Sequence, residues 1–169
     1  MDEKRNHIKK IALKLFANEG YNSTSVGSIA HHVGISKKVL YNIFKSKDAL
    51  LRELLSDGFE ELKIIFIHNN STITQTQKRD IKLLLKFYLK MIESNKKTIR
   101  LFYQINFNSN IYIKCSNEFK FIVKLLSPNI KSGNDKLLLM HLLLGITFNF
   151  IVERLTIDEI EDILDLYFE

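Results

Sequence analysis

Four cations, Lys37, Lys38, Lys45 and Lys47, fall within eleven residues, with Tyr41 and Asn42 between them. Ammonium groups at this density suit a polyanion, because each neutralised phosphate releases condensed counterions; four lysines are also what an ordinary solvated helix face contains. The Asn42 amide both donates and accepts, as a bidentate pair with an adenine edge requires. Tyr41 reads two ways, as a surface ring steadying a short helix or as an aromatic that reaches a partner. Other chemistry is thinly supported. His31 and His32 are adjacent, cannot point the same way from a helix and lack carboxylate or thiol companions, so they are expected at the surface and not on a metal. Cys115 beside Lys114 is a lone thiol, expected to be inert in preference to oxidant-sensing. No helical His/Glu/Asp grouping, Gly-rich phosphate loop or Ser/His/Asp arrangement emerges, so neither catalysis nor a cofactor is expected.

The elements that position these residues follow from periodicity. Ile8, Ile11, Ala12, Leu15 and Phe16 share one face of a first helix, which Gly20 stops. Thr24 and Ser25 offer hydroxyls to the free amides of a second helix, whose Val26, Ile29 and Ala30 form a short apolar face. Val33-Gly34-Ile35 makes a tight corner. Ser36 caps a third segment, Lys37 to Phe44, with Val39, Leu40 and Phe44 at helical spacing, and Ser46 caps a fourth helix beginning at Asp48. Two short helices around such a corner are the helix-turn-helix arrangement, in which the second helix enters the major groove. The apolar stripe of the fourth helix runs on through Phe59, Leu62, Ile65 and Phe66 past Gly58. Residues 68–77 read as a loop, and helical patterns resume at about 79–93, 96–107, 111–126, 134–154 and 157–168. Thr156-Ile157-Asp158-Glu159 has the form of a capping box. The fold class is therefore all-α, divided into a helix-turn-helix domain over 1–55 and a second helical domain over 56–169.

Composition agrees with this division. The chain has 169 residues, 46% hydrophobic and 26% charged, with a single Cys that excludes internal disulfides and multi-thiolate metal sites. Residues 1–55 hold 10 Lys/Arg against 5 Asp/Glu, residues 56–133 hold 13 against 6, and residues 134–169 hold 2 against 8. A basic N-terminal half with an acidic end places the polyanion partner on one side. Leu137 to Val152, the longest apolar stretch, is interrupted by His141 and Asn149 and is shorter than the roughly 20 residues a membrane span needs. With a polar N-terminus lacking an apolar signal core, the expected location is the cytoplasm, and the sequons at Asn22 and Asn70 are chance matches.

The pattern is longer than a bare helix-turn-helix. Leu15-Phe16, Gly20-Tyr21, Thr24-Ser25-Val26, Ile29-Ala30, Gly34-Ile35-Ser36-Lys37, Leu40-Tyr41, Phe44 and Ser46-Lys47 follow in an order and spacing that resembles the TetR family of transcriptional regulators over about residues 7 to 55. The resemblance implies that Lys37, Lys38, Tyr41 and Asn42 face DNA while Val39, Leu40 and Phe44 pack behind. It also implies that Lys47 contacts phosphate, and that Ser25 and Ser36 match phosphate contacts at helix N-termini. Two positions depart from the family pattern: Lys38 stands where a small residue is common, and Ile43 where His or Tyr is common. Operator sequence is where that departure tells.

A helix apolar nearly all round, such as Leu137–Val152, exceeds what 169 residues easily cover, and a second subunit is its natural cover. The alternative is a large intrachain core with Leu142 and Phe150 wholly internal. The resemblance makes 56–169 a helical dimerisation and ligand-binding domain, and implies homodimerisation through residues 134–168, a pseudo-palindromic DNA operator and repression. It further implies an effector pocket, and a mixed aromatic and polar band supplies the candidates Phe87, Tyr88, Met91, Phe102, Tyr103, Gln104, Phe107, Tyr112, Phe119 and His141, with Cys115 among them. Such walls suit a lipophilic or aromatic small molecule, and core packing explains each residue equally well. A rival reading keeps the DNA-binding half and makes the C-terminal half a docking platform for a protein partner, without an inducer.

Overall fold

The computed structural model describes residues 2–72, 81–105, 133–151 and 155–167, and every regular element among them is an α-helix. In chain order they are α1 (Asp2–Glu19), α2 (Val26–Val33), α3 (Lys37–Ile43), α4 (Lys47–Thr72), α5 (Ile81–Ser94), α6 (Lys96–Gln104), α7 (Gly133–Ile151) and α8 (Ile157–Tyr167). No helix among the described residues is long and apolar enough to cross a membrane. The expected segment at 111–126 lies outside the described residues. The chain divides into two compact units, Met1–Glu60 with Lys97–Ser116, and Glu61–Lys96 with Asn117–Glu169. The first therefore takes in α1 to α3, α4 as far as Glu60, and α6 from Lys97.

In the first unit the stripe read from α1 is buried at Ile8, Ala12, Leu15 and Phe16. Ile29 and Ala30 of α2, Leu40 of α3, and Leu50, Leu51, Leu54 and Leu55 of α4 are buried in the same unit. The corner after α2 is set by Gly34, whose φ of 75° lies in the left-handed region that a side chain disfavours. Its amide donates to the His31 carbonyl at 3.0 Å and the Ile35 amide to Ala30 at 2.9 Å, so the last carbonyls of α2 are satisfied as the chain turns. The cap of α2 is Ser25, which accepts from the Ser28 amide at 3.0 Å. Thr24 instead turns inward, buried, and donates to the Gly20 carbonyl at 2.8 Å. Helix α3 ends one residue earlier than expected, because Phe44 turns extended at φ −126° and ψ 117°, with its ring buried. Helix α6 lies across α4 where Gly58 leaves space for Thr98, and Phe59 meets Phe102 edge to face at 5.4 Å.

One expectation fails along α4. Residues 68–72 are not loop: the helix continues to Thr72, leaving only 73–77 of the expected loop outside the described residues. Turn-forming composition at 68–72 is outweighed by propagation, since an established helix gains one hydrogen bond for each residue added, and 59–72 contains no Pro to interrupt it.

In the second unit α5 packs against α7 and α8. Tyr88 and Thr147 are fully buried and hydrogen-bonded to each other through their hydroxyls, and Thr147 donates to the Leu143 carbonyl at 2.6 Å. Lys86 pairs with Asp165 at 2.8 Å, and Lys96 lies 4.9 Å from the centre of the Phe150 ring. The capping box forms as read: the Thr156 amide donates to Glu159 at 2.7 Å and the Glu159 amide to Thr156 Oγ1 at 3.2 Å. These backbone and hydroxyl hydrogen bonds hold the Glu159 carboxyl below its ordinary range. The intrachain alternative required both Leu142 and Phe150 inside. Phe150 is buried, but Leu142, Phe148, Ile163 and Leu166 are exposed, Leu166 at 74%.

Candidate nucleic-acid interface

Helix α3 has one buried residue, Leu40, and presents Lys37, Lys38, Tyr41 and Asn42 to solvent. Ser36 caps it by accepting from the Val39 amide at 3.3 Å, so its hydroxyl has a local role. Ser25 does the same for α2 and is exposed beside Lys37. A Cβ added at Gly27 would fall 2.6 Å from Lys37 Cε and 3.5 Å from Ser25 Oγ. The Lys37 stem therefore folds back over the start of α2, with its ammonium beside Gly27. An ammonium, a hydroxyl and a positive helix end converge there, the combination that suits a phosphate oxygen. His31 and His32 are exposed as expected, with His32 Nδ1 2.9 Å from the Ser28 carbonyl. Among the described residues, no group of three His, Cys, Asp or Glu is arranged to hold a metal.

Lys47 is engaged within the fold. Its ammonium donates to the carbonyls of Tyr21 at 2.9 Å and Thr24 at 3.1 Å, and sits 4.3 Å from the centre of the Tyr21 ring. The start of α4 is thus tied to the α1–α2 connection, with one of three ammonium donors left for an outside acceptor. Tyr21 completes the junction: its hydroxyl donates to Asp48, and its ring meets Phe16 edge-on at 5.1 Å. Burial, with the Asp48 hydrogen bond, pushes the Tyr21 phenol well above its ordinary value, so it stays a donor. Lys47→Met is expected to destabilise the domain by about 1–3 kcal/mol through loss of two charge-assisted hydrogen bonds. A salt-dependence slope shallower by about one unit would show that Lys47 also contacts a phosphate. An unchanged melting temperature would contradict the clamp.

Charged groups that the sequence pattern does not single out hold α1 against α4. The Arg5 guanidinium forks onto Glu53, with Nε donating to Oε1 at 2.7 Å and a second, terminal bond to Oε2, and it donates to the Ile43 carbonyl at 3.0 Å. Lys9 reaches Asp57 at 2.7 Å and Glu53 at 3.4 Å. The only available signal was that Arg5 and Lys9 lie one helical turn apart, as do Glu53 and Asp57. Hydrogen bonding from Arg5 holds the Glu53 carboxyl below its ordinary range. A lowered folded-state value means that this contribution is complete above the ordinary carboxylate pKa and is lost as pH falls through the lowered one. Thermal melts on acidification should therefore fall more steeply for the wild type than for Glu53→Gln. Parallel pH profiles would remove the pair from the stability balance.

The stretch that builds this surface, residues 8–54, matches the family model described as bacterial regulatory proteins, tetR family. Residues 8–54 are thus a tetR-family N-terminal domain. A Bacillus subtilis relative, the uncharacterized HTH-type transcriptional regulator YuxN, is 49% identical over 61 residues, covering 36% of this chain and 21% of YuxN. The Staphylococcus aureus biofilm operon icaADBC negative transcriptional regulator IcaR (strain Newman) is 29% identical over 107 residues, 60% of this chain and 55% of IcaR. The chain thus spans between about a fifth and about half of these curated relatives. Among solved structures, a transcriptional regulator of Saccharomonospora viridis in complex with choline superposes with a TM-score of 0.76 over 99% of this chain and 96% of that one, at 16% identity. That likeness is one of fold, and it covers the C-terminal half as well.

The effector candidates fall in both units. Phe102, Tyr103 and Gln104 belong to the first unit, where Phe102 is buried and Gln104, exposed, donates to the Ala17 carbonyl at 3.2 Å. Tyr88 and Met91 are buried in the second unit, and His141 is exposed there. The Phe87 side chain and Phe107, Tyr112, Cys115 and Phe119 lie outside the described residues. A groove of about 360 Å³ does open between α7 and α8, but it is lined by Leu142, Ile146, Asn149, Leu155, Ile160, Ile163 and Leu164, none of them a candidate.

Proposed function

We propose that the chain is a transcriptional regulator, acting as a repressor, that binds a pseudo-palindromic DNA operator as a homodimer and is released by a small-molecule effector. The observation that carries this reading is the seating of α3. Leu40 and Phe44 anchor it while Lys37, Lys38, Tyr41 and Asn42 are exposed on one capped, seven-residue helix. Tyr41 and Asn42 read base edges or sugar, Lys38 meets backbone phosphate, and Lys37 with Ser25 and the α2 amides holds another phosphate. Dimerisation through residues 134–168 is supported by Leu142, Phe148, Ile163 and Leu166, large apolar side chains exposed on α7 and α8, and by the apolar groove between these helices. Two-fold pairing presents two copies of α3 to inverted half-sites. The choline-bound structural neighbour and the negative regulator IcaR support effector control and repression respectively.

The test is selection of bound duplexes from a random pool by the purified protein. Two inverted copies of one motif, centred about 34–36 Å apart or a multiple of that, are expected. A single unpaired motif removes the dimer, and an unenriched pool removes sequence-specific binding.

A further inference from the structure

We propose that Arg5 is a positioning residue for operator recognition: its guanidinium sets the angle at which α3 leaves the domain surface. The inference rests on the DNA-binding reading of α3, but the contacts that carry it are independent of that reading. Seven residues give α3 about two turns, too few for a helix to hold a direction on its own. Its N-terminus is fixed by Ser36. At its other end the Leu40 carbonyl is taken by the Phe44 amide at 2.8 Å, and the Ile43 carbonyl accepts from Arg5 at 3.0 Å. The opposite side of the same planar group is held by both oxygens of Glu53 on α4, and its central carbon lies 4.4 Å from the centre of the Phe44 ring. One rigid fork therefore joins α1, the end of α3 and α4.

Tyr41 and Asn42 stand immediately before Ile43, so freedom at that carbonyl becomes freedom of the side chains that would read bases. A base-reading amide loses its bidentate geometry when displaced by a fraction of an ångström or by 10–20°, roughly the tolerance of any preorganised site. Phosphate contacts, made by flexible lysine stems, tolerate the same displacement. Loosening α3 should thus lower affinity for the selected sequence and spare random duplex. A lysine cannot substitute, because a point charge cannot fork onto a carboxylate, stack on a ring and donate to a carbonyl together.

The test compares Arg5→Lys and Glu53→Gln with wild type for the duplex recovered by selection and for random duplex, across a salt series, at a temperature where circular dichroism shows all three folded. Both variants should bind the selected duplex roughly tenfold more weakly, the loss expected for about one charged hydrogen bond, with random-duplex affinity and salt slope unchanged. Equal losses on both duplexes, or an unchanged ratio between them, overturn the proposal. Amide hydrogen exchange on the free protein separates this claim from the DNA-binding reading. Arg5→Lys should speed exchange across α3 relative to α1 and α4, and uniform rates overturn the positioning role even if no operator is ever recovered. If selection recovers no motif while α3 exchange does accelerate, the DNA-binding reading fails and the mechanical role of Arg5 stands.

Discussion

Phe44→Ala is expected to destabilise the N-terminal domain by about 3–5 kcal/mol, whereas Tyr41→Ala, three residues earlier, leaves unfolding nearly unchanged and weakens duplex binding. The contrast follows from where two aromatic rings on neighbouring turns go. Phe44 is 2% exposed, and Arg5 stacks on its ring. Truncation leaves a cavity beneath α3 and removes the surface on which the guanidinium lies. Tyr41 is 48% exposed, so losing its ring costs little burial. Denaturant unfolding of the two variants, with duplex titration of Tyr41→Ala, checks both halves. Equal destabilisation by the two would return Tyr41 to the core and withdraw it from the interface.

How much of this was legible in the sequence depended on the range of the interaction. Caps, corners and apolar stripes are local, so Ser25, Ser36, Gly34 and the Thr156–Glu159 box could be read from spacing alone, as could the burial of Leu40 and Phe44. The extension of α4 through 68–72 is not legible, because its polar residues are individually poor helix formers, while helix propagation is cooperative. Lys47 was legible as a cation but not as a clamp, because its acceptors are backbone carbonyls 23 and 26 residues away that carry no sequence signature. Arg5 and Glu53 lie 48 residues apart, and their pairing needs the crossing of α1 and α4 to be known first. Tyr88 illustrates a different limit. A tyrosine among aromatics fits a pocket wall or a core equally in sequence, and its buried hydroxyl is already hydrogen-bonded to Thr147.

The approach of α6 to α4 yields the other large effect. Gly58 lies within α4, where glycine costs about 1 kcal/mol relative to alanine, so Gly58→Ala on an isolated helix would stabilise. Here an added methyl would fall 2.6 Å from Thr98 Oγ1 and 3.0 Å from Thr98 Cβ. Thr98 is 4% exposed on α6, so it has little space into which to retreat. Overpacking of this kind costs about 1–3 kcal/mol and exceeds the gain in propensity, so Gly58→Ala should be net destabilising by roughly 1–2 kcal/mol. Gly58→Val should cost more. The decisive measurement is a double-mutant cycle by denaturant unfolding, because Thr98→Ala removes Oγ1 and Cγ2 and leaves the new methyl only the Cβ at 3.0 Å to accommodate. In that background Gly58→Ala should cost clearly less than in the wild type, with a coupling energy of about 1–3 kcal/mol between the sites. Additivity within about 0.5 kcal/mol would mean that the helices separate freely, and that the notch at Gly58 does not set where α6 crosses α4.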